Sequence, residues 1–229
     1  MASTPAHCQG VTWRSNMSNH HPSKAFDLSL YLVTDAELCA QAGLIDTVLG
    51  AVRGGVTMIQ LRDKTATDTE LTAQARTLMT ALQGTGVPLI INDRLEVALA
   101  AKADGLHIGQ GDGDVAEARR CLGPRAILGL SVENCTQLAT LDPEPLDYLG
   151  LGPVFATSTK QDHAPPLGME GLAALATASV LPTVAIGGLN ADHVKAVRQA
   201  GADGLAVISA ICGQADPQAA ATAFGQADR

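Results

Sequence analysis

The 229-residue chain is poor in aromatic side chains, with one Trp, two Tyr and three Phe. Aliphatic residues must therefore fill its core, and the stacking platforms used by binders of single-stranded nucleic acid are missing. Basic residues are also scarce: 15 Lys and Arg against 23 Asp and Glu give a net charge of −8. That balance excludes a nucleic-acid binder that works by phosphate neutralisation, but not a local cationic site for small anions. The five cysteines, Cys8, Cys39, Cys121, Cys135 and Cys212, are scattered and form no C-x-x-C pair. Neither a disulfide framework nor a zinc site is indicated. One uncharged run, Gly171 to Asn190, approaches membrane-spanning length, but Pro182 and Gly187-Gly188 interrupt it. It reads as a helix end followed by a buried strand, and no membrane partner is expected. The first 25 residues contain three of the six His and no apolar secretory segment. They read as a disordered lead without a role, with Met17 as an alternative start and a cytoplasmic location for the protein.

With 46% hydrophobic residues, the chain has ample material for one core. From Leu28 onward, short β-branched apolar runs alternate with longer Ala-rich stretches of helical spacing, as in a parallel α/β sheet. Strands are predicted at Leu28 to Val33, Thr57 to Leu61, Pro88 to Ile91, Gly105 to Ile108, Ala126 to Leu130, Tyr148 to Leu151, Thr183 to Ile186 and Gly204 to Ile208. Helices are predicted at Leu38 to Arg53, Asp68 to Gln83, Leu95 to Lys102, Val115 to Leu122, Cys135 to Thr140, Gly168 to Thr177 and Ala191 to Ala200. Eight units of about 25 residues match a TIM (β/α)8 barrel, read here as a single catalytic domain over residues 26–229. Ala103-Asp104-Gly105-Leu106 recurs 99 residues later as Ala202-Asp203-Gly204-Leu205, four units on, with the Gly read as a helix-to-strand turn. A doubly wound sheet is the competing architecture. The absence of G-x-G-x-x-G after the first strand favours the barrel.

In a barrel the active site lies at the C-terminal ends of the strands. Polar residues gather there: Gln60-Leu61-Arg62-Asp63-Lys64 after the second strand, Asn92-Asp93 after the third, and Gly109 to Asp112 after the fourth. Ser131 ends the fifth, a long loop with Thr157-Ser158-Thr159-Lys160 follows the sixth, Gly187-Gly188 the seventh, and Ser209 the eighth. Asp93 and Asp112, on neighbouring strands, suit a shared Mg²⁺ that takes its remaining ligands from water and phosphate. The plainer role for each is a helix cap. Arg62, Lys64 and Lys160 can stabilise a diphosphate leaving group by charge, their alternative being solvation or pairing with Asp63 and Asp162. Gly187-Gly188 and Ser209 occupy the usual phosphate position of this fold, although a Gly pair also serves simple turns. His107 reads as a hydrogen-bonded core or rim residue and His193 as a surface one. With no G-x-S-x-G around it, Ser131 reads as a hydrogen-bond donor rather than a nucleophile.

Taken in order, these motifs resemble those of the thiamine phosphate synthase family. The resemblance spans about Leu30 to Ile211 and rests on Tyr31 to Asp35, Gln60 to Lys64, Ile91 to Asp93, Asp104 to Gln110 with Asp112, Gly129 to Ser131, Gly150 to Phe155 with Thr157, Thr159 and Lys160, Ala185 to Gly188, and Ile208 to Ile211. It implies a transferase that joins 4-amino-2-methyl-5-(diphosphooxymethyl)pyrimidine to 4-methyl-5-(2-phosphooxyethyl)thiazole or its carboxylated form, through dissociative loss of diphosphate. By the same resemblance, Gln60, Leu61, Arg62, Asp63, Lys64, Asn92, Ser131 and Lys160 bind the pyrimidine diphosphate. Arg62, Lys64, Ser131 and Lys160 are the catalytic set among them. Thr157, Ser158, Thr159, Gly188, Ile208 and Ser209 hold the thiazole phosphate, and Asp93 and Asp112 hold Mg²⁺. Gly111 and the run Gln161 to Pro166 depart from the family pattern at tolerant positions. The rival readings are a thiazole tautomerase, which commonly lacks parts of the diphosphate and metal set, a non-catalytic phosphometabolite-binding barrel, and a phosphosugar isomerase. Assembly as a homo-oligomer stays open.

Overall fold

The computed structural model describes residues 26–157 and 165–228. Eight parallel strands form a closed barrel in chain order: β1 (Leu30–Val33), β2 (Met58–Leu61), β3 (Leu89–Asn92), β4 (Gly105–Ile108), β5 (Ile127–Val132), β6 (Tyr148–Leu151), β7 (Thr183–Ile186) and β8 (Gly204–Val207). The last strand pairs with the first in the register Leu30 to Leu205 and Leu32 to Val207. Around them lie α1 (Ala36–Cys39), α2 (Leu44–Arg53), α3 (Asp68–Ala81), α4 (Leu95–Ala101), α5 (Val115–Leu122), α6 (Cys135–Thr140), α7 (Gly168–Ala178), α8 (Val194–Gln199) and α9 (Pro217–Ala227).

The expected TIM barrel is therefore present, with all eight strands within two residues of their predicted starts and ends. The helices differ more. The single helix expected over Leu38 to Arg53 is two: Asp35 starts α1 early by accepting from the Leu38 N–H, and Gly43, at φ 87°, breaks the path before α2. The segment Ala191 to Ala200 opens as a 3-10 turn, Ala191–His193, before α8 begins. An unpredicted α9 starts from an Asp216 cap with Pro217 in its first turn and packs on α2, closing the helical ring. The uncharged run Gly171 to Asn190 splits into most of α7 and all of β7, as expected, and no helix among the described residues is long and apolar enough to cross a membrane.

Strand alternation divides the core. Tyr31, Met58, Ile90, Ile127, Tyr148, Val184 and Ala206 form one cluster inside the barrel. Leu32, Ile59 and Ile91 belong to another with helix residues such as Val48, Leu71 and Val97. Strands covered on both faces should be apolar nearly throughout. The strand residues that are not fully buried, Asn92, Ser131 and Ile186, all lie near the C-terminal mouth.

The repeated Ala-Asp-Gly-Leu has a different physical basis from the turn expected. A Cβ on Gly105 or Gly204 would collide with the carbonyl of Ile127 or Leu28, so each Gly permits close approach of neighbouring backbone. The Asp supplies the rest. Asp104 accepts from the Leu89 N–H at 2.9 Å and Asp203 from the Thr183 N–H at 2.8 Å. Asp147 does the same for Leu128 at 2.7 Å, and the Thr57 hydroxyl for Leu30 at 3.1 Å. Each even-numbered strand is thus preceded by a side-chain oxygen that satisfies an N–H at the start of the odd strand before it. These ties lie at the N-terminal face, away from the mouth, where residues of this fold serve stability. Asp104→Ala is expected to lower stability by about 1.5–3 kcal/mol in urea unfolding, the scale of one lost hydrogen bond to a charged group, without altering kcat/KM.

Candidate active site

The mouth opens into a cavity of about 590 Å³. Its lining includes eleven of the residues singled out from sequence: Gln60, Arg62, Lys64, Asn92, Asp93, Asp112, Ser131, Thr157, Gly188, Ile208 and Ser209. Two do not line it. Leu61 is fully buried in the cluster between strands and helices, as the alternation along β2 requires. Asp63 folds its own loop, accepting from the Thr65 N–H at 2.9 Å, the Thr65 hydroxyl at 2.8 Å and the Ala66 N–H at 3.0 Å. Ser158, Thr159 and Lys160 lie outside the described residues.

The cationic side is built by several loops together. Arg62 pairs with Asp35, 3.6 Å away on the β1 loop, rather than with Asp63. Its backbone N–H donates to the Thr34 hydroxyl at 3.0 Å, and that hydroxyl donates to the Arg62 carbonyl at 3.4 Å. Arg94 ties the β2 and β3 loops by donating to the carbonyls of Ala66 and Asp63, at 2.6 and 3.1 Å, and to the Asp68 carboxylate at 3.1 Å. Sequence reasoning assigned no role to Thr34, Asp35 or Arg94. Thr34 and Asp35 stood within the stretch that carries the resemblance, and Arg94 directly follows the Asn92-Asp93 motif.

Neither acidic residue caps the helix after it. α4 starts from Arg94 without a side-chain cap, and α5 is capped by Asp114. Asp93 instead adopts the left-handed conformation at φ 62°, its N–H donating to the His107 carbonyl at 2.8 Å. Strain of that kind costs about 1–3 kcal/mol and concentrates at functional positions. Burial, together with the Asp112 carboxyl beside it, pushes the Asp93 pKa up to about 6, against the pull of Asn92 and Lys64. Asp112 is anchored by the Gly109 N–H at 2.7 Å, and a Cβ on Gly109 would sit 2.7 Å from the same oxygen. Two neighbouring carboxylates with hard oxygen donors suit Mg²⁺ completing its shell from water and substrate. No group of three or more His, Cys, Asp or Glu side chains suited to a metal occurs among the described residues.

Across the cavity, Gly187 and Gly188 have φ of 104° and 65°. A Cβ on Gly187 would lie 2.6 Å from that of Pro153, and one on Gly188 would lie 2.8 Å from the Ala156 carbonyl oxygen. The glycines thus let the β6 loop pass close behind the β7 turn, which goes beyond simple turn chemistry. His193, expected at the surface, is half-buried: its ring lies 4.9 Å from that of Phe155, and Nδ1 accepts from the Asn190 N–H. His107 is a buried rim residue, as read. Its Nε2 lies 3.0 Å from Ser131 Oγ and its Nδ1 2.9 Å from the Tyr148 hydroxyl, and Gln110 donates to the Ser131 carbonyl at 2.6 Å.

Burial tends to raise the Asp63 pKa, but the hydrogen bonds from Thr65 and Ala66 outweigh it and hold the carboxyl below its ordinary 3.8. A carboxyl with a lowered pKa stabilises the fold above its unfolded value, and that contribution disappears as pH falls through the folded one. Asp63→Ala should therefore reduce stability most at neutral pH, with the gap from wild type closing below 3.8 in denaturant titrations across pH.

A family model described as thiamine monophosphate synthase matches residues 30–211. A thiamine-phosphate synthase of Psychrobacter sp. (strain PRwf-1) is 56% identical over 206 residues, 89% of this chain and 96% of that protein. One from Azorhizobium caulinodans is 52% identical over 201 residues, 88% of this chain and 93% of that protein. Among solved structures, a thiamine phosphate pyrophosphorylase from Pyrococcus furiosus superposes with a TM-score of 0.78 at 34% identity, covering 88% of this chain and 95% of that one. With its strand-end motifs gathered in one mouth and these likenesses spanning nearly the whole barrel, the chain belongs to the thiamine monophosphate synthase family.

Proposed function

We propose that the two sides of this mouth divide the substrates of thiamine phosphate synthesis between them. The pyrimidine diphosphate lies on the side of Gln60, Arg62, Lys64, Asn92 and Ser131, and the thiazole phosphate lies toward Thr157, Gly188, Ile208 and Ser209. The observation that carries this reading is the opposition, across one cavity, of a cation-and-carboxylate cluster and a glycine turn. Ser158, Thr159 and Lys160 complete the two halves by the family pattern.

The reaction needs little covalent help. The bond between the pyrimidine methylene and the diphosphate oxygen breaks, with both electrons leaving on oxygen. The thiazole nitrogen lone pair then forms the new C–N bond, giving thiamine phosphate and free diphosphate. No proton has to move, which suits a site whose polar groups bind and orient. Arg62 grips the departing diphosphate by a planar fork steadied by Asp35, and Lys64 and Lys160 add point charges where negative charge grows. Asn92 and Gln60 orient the pyrimidine. The glycine turn and Ser209 hold the thiazole by its phosphate, turning a bimolecular capture into a positioned one. Asp93 and Asp112 would hold Mg²⁺, which when bound supplies neutralising charge to the diphosphate. The phosphorylated pyrimidine and thiazole are the partners of this reading, the cytoplasm is its setting, and residues 26–229 form its catalytic domain.

Lys160→Ala and Asp93→Ala should each lower kcat by about 10² or more, the loss expected for one preorganised electrostatic group. A coupled assay with both substrates should give thiamine phosphate with Mg²⁺ and none with chelator. Product in chelator would overturn the two-aspartate site. Thiazole isomerisation without coupling would favour the tautomerase instead.

A further inference from the structure

A line of buried polar side chains crosses the barrel interior beneath the substrate cavity. Gln60 Nε2 lies 2.8 Å from the Tyr31 hydroxyl, which is 2.9 Å from that of Tyr148. The line continues from Tyr148 to His107 Nδ1 at 2.9 Å and from His107 Nε2 to Ser131 Oγ at 3.0 Å. Both tyrosines are at most 1% exposed. Room for the line comes from missing side chains: a Cβ on Gly129 would strike the Tyr148 ring and His107 Nδ1, and one on Gly150 would lie 3.1 Å from His107 Cε1.

The line has a direction. An amide nitrogen can only donate, so the Tyr31 hydroxyl accepts from Gln60 and passes its own proton to Tyr148. Running the other way, Tyr31 would accept twice and leave its proton without a protein partner at a position 1% exposed, at a cost above that of an ordinary link. Tyr148 in turn donates to Nδ1, which places the imidazole proton on Nε2, facing Ser131. The serine oxygen is then the acceptor, and its own proton is left for the cavity. Burial raises the pKa of both tyrosines, so their hydroxyls keep their protons.

We propose that Tyr31, Tyr148 and His107 are positioning residues that fix the Ser131 hydroxyl as a hydrogen-bond donor to the pyrimidine diphosphate. The proposal rests on Ser131 belonging to the pyrimidine side of the site. It explains why a line of five hydrogen-bonded polar side chains, from Gln60 to Ser131, crosses a largely aliphatic barrel. Diphosphate oxygens offer acceptors only, and an oriented donor binds them more strongly as leaving-group charge develops.

The test combines ¹⁵N-histidine NMR of the full-length enzyme at neutral pH with kinetics. The His107 signals, identified by their loss in His107→Gln, should show a protonated Nε2 and a bare Nδ1. Tyr148→Phe should lower kcat/KM for the pyrimidine diphosphate about 10-fold, the equivalent of one hydrogen bond, while KM for the thiazole phosphate stays put. His107→Gln, whose amide can accept from Tyr148 and donate to Ser131, should retain more activity than His107→Leu. Should Tyr148→Phe not fold, Tyr31→Phe carries the kinetic test. A protonated Nδ1 in the wild type, or folded tyrosine variants with unchanged kinetics, would overturn the chain. Unchanged kinetics in Ser131→Ala would instead overturn the placement of Ser131, leaving the histidine signals as expected.

Discussion

Eight parallel strands can close on themselves only if the first and last meet in register, and the contact between β1 and β8 is what turns a sheet into a barrel. Everything else depends on that closure. It brings eight strand ends to one rim, so residues far apart in sequence, such as Arg62 and Ser209, line a single cavity. It also crowds the other rim, where a Thr and three Asp satisfy strand-edge N–H groups and two glycines let backbones come close. Helix packing completes the ring through α9 against α2.

The same residue type plays opposite parts at the two rims. Asp104, Asp147 and Asp203 accept hydrogen bonds within the fold. Asp93 and Asp112 crowd each other, and Asp93 sits in a strained backbone conformation. A protein with a net charge of −8 can handle two phosphorylated substrates because position, more than count, decides what each charge does.

Strand placement was legible because short apolar runs stand out between stretches of helical spacing, and because strands buried on both faces must be apolar. The site was legible to the extent that function follows from backbone position: any polar residue just past a strand faces the mouth. Asp63 shows the limit. Its neighbours Arg62 and Lys64 line the cavity while its carboxylate folds the loop, and only hydrogen-bond geometry separates the two roles. The break at Gly43 and the helix after Asp216-Pro217 had local signals, a glycine and a cap followed by proline, that the longer apolar periodicity overshadowed. The links joining Tyr31, Tyr148 and His107 were hidden for another reason. The partners along the line are 24 to 117 residues apart, and nothing in a strand's own pattern reveals a contact across a barrel.

Arg94 pins the loop of Arg62 and Lys64 to the loop of Asp93 through hydrogen bonds to the Ala66 and Asp63 carbonyls. Much of the ordering cost of that half of the site is met when the chain folds, before any ligand arrives. On the proposed assignment of this half to diphosphate, a cage built in advance cannot readily tell the group still joined to a pyrimidine from the free anion left behind. The rigidity that eases bond cleavage therefore also favours retention of the by-product, and the departure of diphosphate becomes a natural brake on turnover.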